Sequence, residues 1–296
     1  MRLRIEFFLL LCLVLAGCRG AVGTHSRIDP AMTAFIPPDT LALAGVRVDQ
    51  LRATPLYRKL AGTNRLPRFD EFRSETGIDP ERDVRELLLA NDGKNSLLIA
   101  RGTFEAKAPA SVKTSVYQGY TLFGDGENAV FTLIGKTIVL AGRAAVVRAA
   151  IDRHKGGRHD APAALLARAE ALPGDAQVWA AANGWTGFPP EMLPEMGNAA
   201  NLNRVLQSVE DASMSADLRA GIHAGATGDC RTAQDAKTLS ESLRGLVGLG
   251  RLSVPENQSD LLRAFDGIQV KQDGRSVKIE VDIPQDLADQ LVGKLR

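Results

Sequence analysis

The chain has 296 residues, an apolar content of 45% and a formal net charge of +1. That is enough apolar surface for one large domain or two modest ones with a real core. A near-neutral chain has no electrostatic reason to seek nucleic acid or anionic lipid by charge alone.

Arg2 and Arg4 precede an apolar stretch from Phe7 to Leu15, which runs into Leu15-Ala16-Gly17-Cys18. This run resembles the lipobox of bacterial lipoproteins. The resemblance implies cleavage before Cys18 and a diacylglycerol on its sulfur. Residues 1–17 are then a signal peptide, and a lipid tethers the mature chain to a membrane. The stretch is far shorter than the ~20 residues of a spanning helix. A plain secretory signal or an N-terminal anchor is the alternative. Arg19, where an Asp is associated with inner-membrane retention, points to a periplasm-facing protein of the outer membrane rather than the inner.

Removing residues 1–17 leaves 279 residues with 34 basic and 34 acidic side chains. Cys12 leaves with the signal and Cys18 carries lipid, so Cys230 has no intramolecular partner. It reads as a buried small hydrophobe, with a reactive thiol as the alternative. Residues 18–38, broken by Gly20, Gly23 and Pro30 and closed by Pro37-Pro38, read as the lipidated N-terminus and a flexible tether.

The body divides into two α+β halves, 39–175 and 176–296. The first opens with a strand at Leu41–Val46 and a helical region carrying Leu51, Leu56, Tyr57 and Leu60. Val84–Ala90 and Ser96–Ala100 follow as apolar runs. Val130–Ile134 turns at Gly135-Lys136 into Thr137–Ala141, and a helix then bears Val146, Val147, Ala150 and Ile151. A further helix covers Ala163–Leu172. The second half opens with a strand at Gln177–Ala182 and a helical region at 202–208. One long alternating strand is predicted next, with Met214, Ala216, Leu218, Ala220, Ile222 and Ala224 on one face. A helix at Thr232–Val247 presents Ala236, Leu239 and Leu243. Ile268 and Val270 lead to a turn at Asp273-Gly274, a return strand of Val277, Ile279, Val281 and Ile283, and a final helix opened by Pro284. The expected fold is α+β: a largely antiparallel sheet with helices on one face and an internal duplication of element order.

Phe35-Ile36-Pro37-Pro38-Asp39-Thr40 and Gly77-Ile78-Asp79-Pro80 look like a family of uncharacterised exported bacterial proteins with two similar halves. That resemblance implies an exported α+β protein and carries over no catalytic residues.

Chemistry-bearing motifs are few. Gly135-Lys136-Thr137 has Val130 where a phosphate loop needs its first Gly, and it lies in a hairpin. His154 and His159 sit among Arg153, Lys155 and Arg158, whose charge opposes a metal ion. They read as a solvated helix end. His223 belongs on the strand face opposite the apolar one, and pairing with Cys230 would need a third, orienting group. No catalytic residue, metal site or cofactor is assigned. The best binding candidate is the stretch 185–196, where Trp185, Phe188, Met192 and Met196 stand among three prolines. Its alternative role is a lid packed on the core. The sequence therefore points to an envelope-tethered, non-catalytic binding or interaction lipoprotein. Its partners would be the membrane, through the lipid, and another envelope protein or peptide, with no nucleic acid. A hydrolase with scattered site residues, or an assembly or chaperone-like factor, is the alternative.

Overall fold

Two kinds of strand sequence produce the architecture. The computed structural model describes residues 26–61, 73–74, 76–105, 112–184 and 205–294. In the first half the strands are β1 (Ala42–Arg47), β2 (Val84–Asn91), β3 (Ser96–Gly102), β4 (Thr114–Tyr117), β5 (Tyr120–Asp125), β6 (Ala129–Ile134) and β7 (Ile138–Gly142). In the second they are β8 (Val178–Asn183), β9 (Val209–Asp217), β10 (Gly221–Cys230), β11 (Ile268–Asp273) and β12 (Ser276–Pro284). All twelve join one antiparallel sheet in the order β11-β12-β10-β9-β8-β1-β2-β3-β7-β6-β5-β4. The α+β class is as the sequence predicts.

The β1–β8 ladder sits at the centre, with Ala42 opposite Ala182 and Val46 opposite Val178. Counted outwards from it, the first five strands of each half follow the same connectivity, except that β4 and β5 are present in one half and two helices in the other.

Registers define two faces. Leu43, Leu88, Ile99, Leu140 and Trp179 share the front. It is covered by α5 (Ala144–Lys155), α6 (Ala163–Glu170) and residues 28–36, which include the one-turn helix α1 (Pro30–Thr33). On the back of the second half lie Ile222, Val277, Val281 and Ile283. They are covered by α7 (Ala233–Leu252), α8 (Ser259–Asp266) and α9 (Gln285–Lys294). Each half thus has its long helices on one face, and the two halves use opposite faces. No single rotation carries one half onto the other with both strands and helices matched, so the likeness of strand order does not by itself establish a duplication. The front of the second half is polar, with Ser213, Ser215, Thr227 and Lys278. That is the ordinary alternation of a one-sided strand. β2, β3 and β7 instead carry continuous apolar runs at Leu87–Ala90, Leu97–Ala100 and Ile138–Ala141, so their back face is apolar there as well.

The halves are not separate bodies. After α2 (Val48–Ala53), α3 (Pro55–Ala61) packs its Leu56 against Ile283, Leu287 and Val292 of the second half.

Two expectations are corrected. The tether does not extend over residues 26–38: Ile28, Met32, Phe35 and Ile36 are at most 4% exposed in the main core. Four large apolar side chains in a short segment outweigh the breaking effect of its prolines, since each stabilises by roughly 1.5–3 kcal/mol when buried. The long alternating strand is in fact the hairpin β9–β10. Asp217 accepts the backbone N–H of Arg219 at 3.0 Å, and Gly221 at φ +119° turns the chain back. Alternation hid the turn because Ala216 pairs with Ala224, so Met214, Ala216, Ile222 and Ala224 do share the back face.

Gly45 faces Trp179 across the central ladder, and a Cβ there would fall inside the indole ring. Arg27 lies over that ring, 5.6 Å from its centroid. Gly45→Val should displace Trp179 and cost about 1–3 kcal/mol by overpacking. Urea denaturation followed by tryptophan emission checks it; an unchanged midpoint and spectrum would contradict the close approach.

Candidate functional site

The apolar back of the first half is the floor of a cavity of about 1240 Å³. Leu87, Leu98, Ala100, Val139, Ala141 and Phe131 form that floor. Phe123 stacks on Phe131 with ring centroids 5.0 Å apart, and this pair forms the wall under β5. One end is closed by Ile78, Val84 and Phe104, which pack on Ala100 and Val139. The start of this wall is set by α4 (Pro80–Asp83), whose N-cap Asp79 accepts the N–H of Glu81 at 3.1 Å. The hairpin turn at Gly135-Lys136-Thr137 is part of the same end. The carbonyls of Lys136 and Thr137 accept N–H groups from Phe104 at 2.8 Å and Gly102 at 3.0 Å. The turn therefore anchors the segment that carries Phe104.

The opposite end is polar. Lys94, Asn95, Lys113, Asn128 and Arg143 stand at the ends of β2, β4, β6 and β7. All three cations are exposed. Among the described residues that line the cavity there is no carboxylate. Two acids near in sequence are engaged elsewhere: Asp92 accepts the backbone N–H groups of Lys94 and Asn95 at 2.7 and 2.6 Å, and Glu127 pairs with Arg148 at 3.3 Å.

The floor continues across the sheet. Leu98 pairs with Leu89, Leu89 with Ala44, Ala44 with Ala180 and Ala180 with Met214, all on the back. Leu89 and Met214 are 39% and 43% exposed, so this strip is open.

The other candidates fall apart from one another. Cys230 is fully buried among Val209, Ala236, Leu239 and Val277, behind α7. Burial pushes its thiol above the usual cysteine range, against a hydrogen bond from Ser208 that acts the other way. His223 is on the front, exposed, with Nδ1 2.8 Å from Asp282 across the β10–β12 pair. Seven residues of strand, roughly 23 Å, and the thickness of the sheet separate it from Cys230. His154 stacks on Phe35 at 4.7 Å, which gives it a packing role at the end of α5. Asp160 pairs with Arg153 at 3.3 Å, and no metal-ligating cluster occurs among the described residues. Cys18 and the binding candidates Trp185, Phe188, Met192 and Met196 lie outside the described residues. Sequence reasoning missed the cavity. Its available signal was the pair of two-sided apolar runs at Leu87–Ala90 and Leu97–Ala100.

No protein-family model and no curated protein matches the chain. Among solved structures, crystal form I of TP0453 is similar over 90% of this chain and 96% of that one, at 11% identity and a TM-score of 0.46. That likeness is too low to carry an argument here. No helix among the described residues is long and apolar enough to cross a membrane.

With its thiol shielded and its pKa raised, Cys230 should react with a thiol reagent far more slowly in the folded protein than in denaturant, and faster as pH rises. Equal rates in the two states would place the thiol at the surface.

Proposed function

We propose that the protein is a lipid-tethered binding protein of the bacterial cell envelope that holds an apolar ligand in the cavity on the back of its sheet. The observation that carries this is the cavity itself. Its volume of about 1240 Å³ exceeds the roughly 300–1,000 Å³ of ordinary small-molecule sites, and its floor is apolar over four strands. An open apolar surface of this extent marks a place where something binds. Cys18, as the first mature residue, supplies the tether. The expected periplasm-facing location then brings the cavity close to membrane-derived or envelope ligands. A hydrolase draws no support from His223 and Cys230, which the fold puts on opposite faces.

N-phenyl-1-naphthylamine is a suitable apolar probe. The wild-type protein should bind it saturably, and Ala141→Trp, which fills the floor, should weaken binding by about tenfold or more, roughly 1.4 kcal/mol. Melting temperature should stay near the wild-type value, since Ala141 is not fully buried. Undiminished binding by the variant would move the site elsewhere. For the tether, mass spectrometry of the native protein should find diacylglycerol on Cys18, and Cys18→Ser should abolish it. An unmodified N-terminus beyond residue 18 would overturn that part of the proposal.

A further inference from the structure

We infer that the ligand of the back cavity is an anionic phospholipid, bound with its acyl chains over the apolar floor and its phosphate at the cationic rim. The inference rests on the reading of the cavity as an apolar ligand site and adds the ligand's class and orientation.

Three observations lead to it. The first is polarity along the strands. β2, β3 and β7 run from an end closed by Ile78, Val84 and Phe104 to an end bearing Lys94, Lys113 and Arg143. The site is therefore apolar at one end and positively charged at the other, as an amphiphile with an anionic head requires. The second is charge. The chain as a whole is nearly neutral, yet the described lining residues include three cations and no carboxylate. A neutral apolar ligand gains nothing from that arrangement, and a cationic one would be repelled. Lys94 and Arg143 form no ion pair with a described residue: Asp92 caps its own turn and Glu127 faces Arg148. The third is size. β3 spans about 20 Å from Ser96 to Gly102, at roughly 3.3 Å per residue. Each leaflet's chains fill about half of a bilayer core ~30 Å thick, so an acyl chain fits along the floor. The volume of about 1240 Å³ is larger than a drug-sized ligand fills, which favours a lipid with two chains over a single-chain fatty acid. Asn95, Ser96 and Asn128 stand at the same rim and supply neutral donors for the head's remaining oxygens.

The test uses the full-length protein in a neutral detergent, with dioleoyl phosphatidylglycerol, dioleoyl phosphatidylcholine and oleate as competing probes. Native mass spectrometry should find one phosphatidylglycerol retained, preferred over phosphatidylcholine by about tenfold or more, as two or three nearby cations provide. Lys94→Gln with Arg143→Gln should erase that preference. Both residues are exposed, so melting temperature should hold in the double variant. Equal retention of the two phospholipids by the wild type, a preference that survives the double variant, or oleate outcompeting phosphatidylglycerol would each overturn the inference while leaving the apolar site intact. Failure of naphthylamine to bind the wild-type protein would overturn the cavity reading and this inference together.

Discussion

The pairing of β1 with β8 is the constraint on which the rest of the molecule depends. It joins the opening strands of the two halves into one sheet. It also sets a large indole against a residue with no side chain: Trp179 occupies the space over Gly45. Arg27 lies over the ring and donates to the carbonyl of Leu172 at 2.7 Å. The backbone N–H of the same residue donates to Glu170 at 2.7 Å. The N-terminal segment, the central ladder and the end of α6 are thus held by one stack of groups. Trp179 is 3% exposed within that stack.

The exchange of helical cover from front to back follows from that centre. In the second half, β9, β10 and β12 alternate and have one apolar face, which α7, α8 and α9 bury. In the first half, β2, β3 and β7 are apolar on both faces. Their front is sealed by α5, α6 and residues 28–36, where Leu97, Ile99 and Leu140 are almost fully buried. Among the described residues, their back receives the short segments around Ile78 and Phe104. The cavity is the part of that second apolar face left uncovered by the described helices.

This arrangement gives a physical route from fold to proposed activity. A rigid sheet floor keeps its shape without a ligand, so little ordering entropy is lost on binding. The cationic rim sits on strand ends and turns, which the sheet itself positions. Cys230 and His223, the pair that a nucleophilic mechanism would call for, are instead a core side chain and a surface cross-strand partner of Asp282.

Much was legible in the sequence because it is local. Periodicity placed the hairpin β6–β7, the helix α7, and the strand β12 with the turn at Asp273-Gly274, since periods and turns are decided by neighbours in the chain. The run Leu15-Ala16-Gly17-Cys18 is likewise a local signal. The fold's global features depended on contacts far apart in sequence. Residues 26–38 look like a linker until Phe35 and Ile36 meet Leu43 and Ile151 in the same core. The turn inside residues 214–224 is invisible to a period-two pattern, because folding back with Ala216 opposite Ala224 preserves the alternation. The cavity was half legible. The double-sided apolar runs Leu87–Ala90 and Leu97–Ala100 announce two buried faces, but only the tertiary structure decides which face the helices cover. That choice is set by which way each chain connection leaves the sheet, a property of no single segment.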